Sequence, residues 1–217
     1  TKDEKYQILG VWSGANDHNL LFYREHGSSG DFFPIVDEWK GNFDLVHNFG
    51  SEFFVFTRFE SPKGRVMKFD LSNLDFSEWE DIIPESNAIF SNAKIVNSNQ
   101  ILATFKKDLI DEVKIYDLKG NFIDDLQLPD MGSVRFTAQW DDSEIFYTFT
   151  SYLYPSTIFT LNLDTGKSEL YWTPDLSFEA SNYTLKREFY ISKDGTRIPM
   201  FIIHKSDLEL NGQNPTY

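Results

Sequence analysis

The serine and histidine residues are the side chains with which this cysteine-free chain could attack a substrate. In an α/β-hydrolase the nucleophile is the central serine of Gly-x-Ser-x-Gly, on a turn between a strand and a helix. The closest string, Gly27-Ser28-Ser29-Gly30, has the wrong spacing and no helical pattern comes after it. The histidines are scattered along the chain, at His18, His26, His47 and His204. We therefore expect a polar hairpin loop at 27–30, structural histidines and no catalytic residue.

Two further patterns imitate ligand sites. The segment Thr165-Gly166-Lys167-Ser168 is similar to the end of a phosphate-binding loop, but Leu161 stands where the first glycine is required. The carboxylate pairs Asp124-Asp125 and Asp141-Asp142 have no histidine beside them, and adjacent residues of a strand point to opposite faces. We expect a turn at the first segment and solvated charge in turns at the carboxylate pairs, and hence neither a cofactor nor a metal ion.

The charge of the chain excludes a nucleic-acid partner. The 217 residues include 20 basic and 34 acidic side chains, for a net charge of −14, whereas nucleic-acid-binding proteins cluster lysine and arginine. An anionic membrane surface is equally unsuited, and the longest apolar runs, such as Ile198 to Ile203, are too short to span a bilayer. We expect a soluble protein. The absence of cysteine leaves both the cytoplasm and the periplasm open as its compartment.

The elements that would position any site are short strands. Apolar residues alternate with polar ones between closely spaced turn residues, which is typical of antiparallel strands. Aromatic residues make up 17% of the chain, and they favour strands over helices. The sequence thus predicts an all-β protein.

One hairpin pattern occurs three times, at residues 53–71, 101–118 and 144–163. The second strands end at Asp70, Asp117 and Asn162, which are 47 and 45 residues apart. A short strand precedes each copy, at Asn42 to His47, Ala93 to Asn97 and Val134 to Trp140, and another comes after it. Four strands recurring at 40 to 50 residues are typical of a β-propeller blade.

The repeat predicts a partial β-propeller of about three and a half four-stranded blades. A first blade is already under way at Arg24, and its last strand is expected at Phe32 to Val36. We expect a partial blade at 1–36, blades at 41–84, 90–129 and 133–173, and a linker with a hairpin at 178–217. So few blades cannot close a ring, so the chain is either an open β-solenoid or, as we favour, part of a longer protein.

The last segment departs from the repeat. Strands are expected at Tyr183 to Ile191 and at Ile198 to His204, and Asp194-Gly195 between them favours a two-residue type I′ turn with positive φ at the glycine. The second strand is almost continuously apolar. This indicates a hairpin that packs against something larger.

Several of these segments, in the same order, resemble the prolyl oligopeptidase family of serine peptidases. Residues 189–205 look like the start of the α/β-hydrolase domain of that family, and residues 211–216 are similar to the next segment of that domain. Residues 144–152 and 154–159 look like its last propeller blade, and Gly64-Arg65-Val66 and residues 79–85 match earlier blades. The resemblance covers the chain from Trp12 to Thr216, whereas the family's subsequent Tyr-Gly-Tyr-Gly-Gly-Phe segment is absent.

The resemblance implies a seven-bladed propeller that caps an α/β-hydrolase domain and filters substrates by size. The implied enzyme cleaves short, proline-containing peptides after proline. This chain would be the second half of the propeller together with the first strands of the hydrolase domain. The catalytic serine, aspartate and histidine would lie outside it, so we expect the chain alone to be inactive.

Trp12 and Ser13 are the residues expected to lie near a substrate. They begin the segment 12–17, in the region where the propeller of the family reaches towards the substrate residues that precede proline. A tryptophan on a glycine-flanked loop can stack on a peptide there, or it can pack on its own blade. The cysteine or arginine often found near this place in the family is absent here.

Two other interpretations stay open. The chain could be a stand-alone propeller that binds proteins, or a piece of an oligopeptidase B or a dipeptidyl peptidase, which share the hairpin. If the chain is part of a longer protein, its terminal blades leave apolar faces uncovered, and we expect it to self-associate through one of these faces or through the edge of the hairpin.

Overall fold

The computed structural model describes residues 1–15 and 17–216 and consists of antiparallel strands with two 3₁₀ turns, Phe76–Glu78 and Ala180–Asn182. The first sheet has the order β1-β2-β3. Its strands are β1 (Tyr6–Trp12), β2 (Asn19–Glu25) and β3 (Phe33–Val36). Trp12 is therefore the last residue of a strand, where the sequence predicted a loop residue.

Three four-stranded sheets come next, each formed by consecutive strands. The second sheet contains β4 (Phe43–Phe49), β5 (Glu52–Thr57), β6 (Arg65–Asp70) and β7 (Glu80–Ile83). The third contains β8 (Ile89–Val96), β9 (Gln100–Lys107), β10 (Ile110–Asp117) and β11 (Phe122–Leu126). The fourth contains β12 (Ser133–Thr137), β13 (Glu144–Thr150), β14 (Thr157–Asn162) and β15 (Lys167–Trp172).

The predicted repeat is confirmed in the register of these sheets. Asp70, Asp117 and Asn162 each end the third strand of their sheet. Glu52 lies opposite Asp70 and Glu144 lies opposite Asn162, so the second strands of the second and fourth sheets start at equivalent positions. Hydrophobic periodicity and turn spacing were therefore sufficient to place successive sheets of a partial propeller.

Alternating side chains of β5 supply two separate apolar cores. Phe53 and Val55 belong to a core shared with the first sheet, which includes Leu21 and Val36. Aromatic stacking continues through this core, because the rings of Phe53 and Phe69 are 5.5 Å apart and those of Phe69 and Trp79 are 4.1 Å apart. Stacked rings of this kind add to the free energy gained by burying their area.

The opposite side of β5 faces the third sheet. Phe54 and Phe56 pack there with Phe90, Ile95 and Ile101. The Phe56 and Phe90 rings meet edge to face at 5.4 Å. Because side chains of a strand alternate between faces, β5 of the second sheet packs against the first sheet on one face and against the third sheet on the other.

The chain forms two compact units, and the first contains both of these cores. It comprises Thr1–Lys107, Glu112–Gln127 and Ala138–Ser143. The second comprises Asp108–Asp111, Leu128–Thr137 and Glu144–Tyr217, of which the structure describes all but the last residue.

The short loop Ala138–Ser143 belongs to the first unit although it connects two strands of the second. The Trp140 indole stacks on the buried His47 ring at 5.1 Å, and the backbone N–H of Ser98 donates to the Trp140 carbonyl oxygen at 2.8 Å. The sequence predicted a strand through Val134 to Trp140, but the strand ends at Thr137. Contacts with residues distant in sequence override the local alternation here.

The second unit combines the fourth sheet with the terminal hairpin. Ile145, Tyr147 and Phe149 point to one side of β13 and are fully buried. The hairpin consists of β16 (Tyr183–Ile191) and β17 (Arg197–Lys205), and none of the residues in these two strands is buried. The described contacts of its apolar strand include the Phe201 ring, which lies 5.3 Å from that of Tyr152.

The hairpin turn differs from the predicted type I′ turn. Ser192 N–H donates to the Thr196 carbonyl oxygen at 2.9 Å, which leaves a three-residue loop. Gly195 has the expected positive φ of 85°, but Asp194 has a negative φ, whereas a type I′ turn needs positive φ at both residues. Asp194 instead accepts hydrogen bonds from the Ser192 hydroxyl and the Thr196 N–H, which lower its pKa to about 2.

Candidate functional site

Trp12 presents its indole at the end of β1. The side chain is 60% exposed, and Ser13 beside it is also exposed. The ring lies back over Gly10, because a Cβ added there would fall 2.5 Å from the indole. A glycine two residues before Trp12, on the same face of the strand, therefore provides the space in which the indole lies. The predicted loop 12–17 includes Asn16, which lies outside the described residues.

Trp12 forms one wall of a cleft with a volume of about 630 Å³ in the first unit. The other walls come from the segments before β2 and β4 and after β5. Besides Trp12, the lining residues are Asp17, His18, Lys40, Gly41, Asn42, Asp44, Arg58, Phe59 and Pro62. The cleft is thus polar, with aromatic rings on two sides. Of the two residues predicted to lie near a substrate, the structure places Trp12 in this cleft, whereas Ser13 is not among its lining residues.

Buried Asn19 connects β2 and β4, whose preceding segments form two walls of this cleft. Its side-chain amide donates to the Phe43 carbonyl oxygen at 3.0 Å and its carbonyl oxygen accepts from the Phe43 N–H at 2.6 Å. Its own N–H donates to the Gly41 carbonyl oxygen at 3.0 Å. β2 and β4 lie in different sheets and are not paired by backbone hydrogen bonds. The Asn19 side chain bonds both the N–H and the carbonyl oxygen of Phe43 instead, and it thereby joins β2 to the start of β4.

Asn42 connects two other lining residues of the cleft in a similar way. Its Oδ1 accepts from the Arg58 N–H at 3.0 Å, and its Nδ2 donates to the Asp44 carboxylate at 3.1 Å. His18 is fixed by its Nδ1, which lies 2.8 Å from the Trp39 carbonyl oxygen. These contacts fix the backbone that carries the charged side chains of the cleft.

Two cations of the cleft lie over aromatic rings. Lys40 Nζ is 5.4 Å from the centre of the Phe59 ring and 5.2 Å from that of Phe76. The Arg58 guanidinium is 5.1 Å from the centre of the Phe56 ring. Cation–π contacts of this length hold the charged groups without neutralising them. The sequence offered no signal for these residues, because they lie about 30 to 45 positions from Trp12 and only the sheet packing brings them together.

The remaining candidates for chemistry have structural surroundings. The loop of Gly27-Ser28-Ser29-Gly30 connects β2 and β3, and the Ser28 hydroxyl accepts from the Gly30 N–H at 3.1 Å. Gly166 has a positive φ in the turn before β15, and the Ser168 hydroxyl lies 2.6 Å from the Tyr147 hydroxyl. Asp124 and Asp125 lie on the exposed strand β11 rather than in the predicted turn, and Asp125 pairs with Lys114 at 2.7 Å.

Buried His47 is a further titratable group. Burial lowers its pKa, and the carboxylates of Asp3 and Asp141 oppose this effect only in part. Its ring contacts Phe49 and Trp140. His204 places Nδ1 at 2.8 Å from the Lys205 carbonyl oxygen. These histidines are therefore held by rings and backbone in the way expected of structural residues.

Within the ranges 1–15 and 17–216, no group of three or more histidine, aspartate or glutamate side chains has a geometry that could hold a metal ion. No helix among the same residues is long and apolar enough to cross a membrane. The site in this part of the chain is therefore a polar, aromatic cleft without a described metal-binding group.

Solved structures share this arrangement of sheets. Prolyl oligopeptidase B from Galerina marginata superposes with a TM-score of 0.89 at 25% identity, over 96% of this chain and 31% of that one. A prolyl endopeptidase from a structural study of two such enzymes gives a TM-score of 0.85 at 29% identity, with coverages of 96% and 31%. The fold similarity thus includes almost the whole chain.

Sequence comparison gives the same result. The chain is 34% identical over 219 residues to the prolyl endopeptidase of Elizabethkingia miricola, a match that covers 100% of this chain and 30% of that protein. It therefore spans about a third of the length of the curated relatives that it matches. Residues 1–174 match the family model described as the N-terminal beta-propeller domain of prolyl oligopeptidase. The chain belongs to the prolyl oligopeptidase family and contains part of the propeller domain of that family.

Proposed function

We propose that this chain is the second half of the propeller of a prolyl endopeptidase that cleaves short peptides after proline. The observation that carries the proposal is the continuous similarity to prolyl endopeptidases, which covers the whole chain including the terminal hairpin. In that enzyme the propeller caps the active site and limits the size of substrates. The chemistry, acyl transfer to a serine assisted by a histidine and an aspartate, belongs to the catalytic domain.

We propose the division that the repeat indicates: a partial blade at 1–36, blades at 41–84, 90–129 and 133–173, and the start of the hydrolase domain at 178–217. The three-stranded first sheet, the three four-stranded sheets and the separate hairpin support these boundaries. The positions of Asp70, Asp117 and Asn162 at the ends of equivalent strands support them as well.

The Trp12 cleft is the place where we propose that the propeller meets the substrate. An exposed indole offers a flat apolar surface to a peptide at low conformational cost. Ser13 adds an exposed hydroxyl next to it. The proline-containing peptide would place the residues that precede proline along this wall.

Substitution of Trp12 in the longer enzyme that contains this chain tests the proposal. We expect that enzyme to hydrolyse a chromogenic Gly-Pro substrate, and Trp12→Ala to raise KM about fivefold or more with little change in kcat, because a ground-state contact is lost. Trp172→Ala removes an indole that is 51% exposed but does not line the cleft, and it should leave both constants unchanged. A longer enzyme without activity on proline substrates would refute the proposed function, and equal effects of the two substitutions would refute the role of Trp12.

We further propose that the isolated chain self-associates through the bare face of its fourth sheet. Phe146 and Tyr171 lie on this face, 40% and 65% exposed, with ring centres 5.0 Å apart. Adjacent exposed aromatic rings form an apolar patch at which two proteins can associate. A second copy is the proposed occupant, because the same side of the second sheet is covered by a sheet of this fold.

We propose the cytoplasm or the periplasm as its compartment. A cysteine-free chain has no disulfide to form or lose, so its fold is equally compatible with both redox environments.

A further inference from the structure

A second cleft adjoins the Trp12 cleft in the first unit. Its volume is about 300 Å³, and Asp44 and Arg58 line both clefts. Its other lining residues come from β4, β5 and β8: Leu45, Val46, Phe56, Ser91, Asn92, Ala93 and Lys94. The two clefts therefore lie side by side, with Trp12 in one, Lys94 in the other and Arg58 in both, and we call the pair the Arg58 groove.

The Arg58 groove reverses the charge balance of the protein. The whole chain has 20 basic and 34 acidic side chains, whereas the groove is lined by the cations Lys40, Arg58 and Lys94 and by the carboxylates Asp17 and Asp44. An excess of cations on a strongly acidic protein creates a local potential that attracts anions.

Two cations of the groove, Lys40 and Arg58, are available to a ligand. Lys40 and Arg58 lie over phenylalanine rings, and neither has a described carboxylate oxygen within ion-pair distance in residues 1–15 and 17–216. The Asp44 carboxylate is partly satisfied by the amide of Asn42. A guanidinium that is positioned by a ring and has unused N–H donors is suited to bind a carboxylate with two hydrogen bonds.

We infer that the Arg58 groove binds acidic peptides, with glutamate or aspartate side chains on Arg58 and on Lys40 or Lys94 and with the peptide lying against Trp12. This inference rests on the proposed function and extends it, because it assigns the substrate class that the propeller prefers. The planar indole supplies apolar contact for the backbone, and the cations supply the preference for acidic side chains.

Titration of the chain with matched peptides tests the inference. The probes are Ac-Glu-Ala-Glu-Pro-Ala-NH₂ and its counterpart with glutamine in place of both glutamates, and the readout is the ¹⁵N-indole resonance of Trp12, assigned with Trp12→Phe. We expect the acidic peptide to bind at least about threefold more tightly at low salt, since one exposed ion pair contributes up to about a factor of five. The advantage should disappear at 0.5 M NaCl, where exposed charges are screened.

Three substitutions sharpen the test. Arg58→Gln should weaken binding of the acidic peptide about threefold to fivefold without affecting the glutamine peptide. Asp44→Asn, which keeps an acceptor for Asn42, should strengthen binding of the acidic peptide. Lys193→Gln, at an exposed position in the hairpin turn, removes the same charge elsewhere and should change neither affinity.

The outcomes separate the inference from the proposed function. Equal affinities for the two peptides, or equal effects of Arg58→Gln and Lys193→Gln, would overturn the acidic preference while leaving peptide binding at Trp12 intact. Failure of both peptides to shift the Trp12 resonance would overturn the inference together with the proposed substrate contact.

Discussion

Phe54 and Phe146 occupy the same position in the second strands of the second and fourth sheets, opposite Lys68 and Thr160. Phe54 is 2% exposed because the third sheet covers it, whereas Phe146 is 40% exposed. The two sheets share a repeat, a register and an aromatic side chain, so the difference lies in what covers them. The fourth sheet therefore leaves exposed a phenylalanine whose equivalent in the second sheet is buried against a neighbouring sheet.

The strongest test of this comparison substitutes the two phenylalanines. Phe54→Ala should lower the free energy of unfolding by about 3–5 kcal/mol, because it opens a cavity in a closed core. Phe146→Ala should cost less than about 1 kcal/mol, since much of the ring is already in water. Urea unfolding of both variants, at a concentration low enough that the chain is a monomer, measures the difference, and losses of equal size would mean that the face of the fourth sheet is covered within the chain.

Two turn glycines provide a second matched pair. Gly120 and Gly166 come after the third strands of the third and fourth sheets and have positive φ angles of 81° and 69°. A Cβ on Gly120 would lie 1.9 Å from the Ile82 carbonyl oxygen, whereas the space around Gly166 is open.

Gly120→Ala should therefore destabilise the protein by more than about 2 kcal/mol, because a clash with backbone adds to the strain of the left-handed conformation. Gly166→Ala should cost about 1 kcal/mol from strain alone. Thermal unfolding measures both, and a similar loss in the two variants would show that the second and third sheets pack less closely here than the structure indicates.

The burial of His47 in the first unit predicts that the free energy of unfolding depends on pH. Its pKa is lowered in the folded protein by burial, so the unfolded chain binds a proton more readily below the unfolded value of 6.5. The stabilisation that this residue contributes is complete above pH 6.5 and is lost as the pH falls towards the folded pKa.

Unfolding free energies between pH 5 and 8 test this sign. We expect a positive slope below pH 6.5 that is smaller in His47→Gln, whereas His26→Gln, a change at an exposed site, should keep the slope of the parent chain. A slope unaffected by His47→Gln would exclude His47 as its source.

Substitutions in surface ion pairs should give the smallest difference in stability between the second and fourth sheets. Lys68 Nζ lies 3.2 Å from Glu52 and 3.4 Å from Glu80, and its side chain is only 25% exposed. Lys167 in the fourth sheet pairs with Glu169 in full contact with solvent. Lys68→Met should cost about 0.5 kcal/mol, and Lys167→Met should have no measurable effect. A larger loss for the exposed pair would reverse this ranking.

The sheets could be predicted from sequence because their signal is local. Alternation is contained in windows of a few residues, and the recurrence of Asp70, Asp117 and Asn162 at 47 and 45 residues can be read directly along the chain. The strand end at Thr137 was missed because Trp140 is held by His47 and Ser98, which are distant in sequence. The hairpin turn was assigned to the wrong type because Asp194 bonds its neighbours through its side chain, a choice that the dipeptide Asp-Gly does not determine.

The candidate site was predictable only in part. Trp12 was singled out because it lies two residues before a glycine, whereas the structure places it at the end of β1, and its contact with a substrate stays a prediction. Lys40 and Arg58 could not, because each becomes a site residue only when the start of β4 and the end of β5 pack beside β1. Long-range packing, rather than composition, decides which charges meet.

The central claim, that the fourth sheet presents an uncovered interface, is tested most directly by light scattering of the chain across micromolar concentrations. We predict a concentration-dependent dimer of this 25.3 kDa chain at low and physiological salt, and a monomer when Phe146 and Tyr171 are both changed to serine. A clean monomer of the unchanged chain under all of these conditions would contradict the claim.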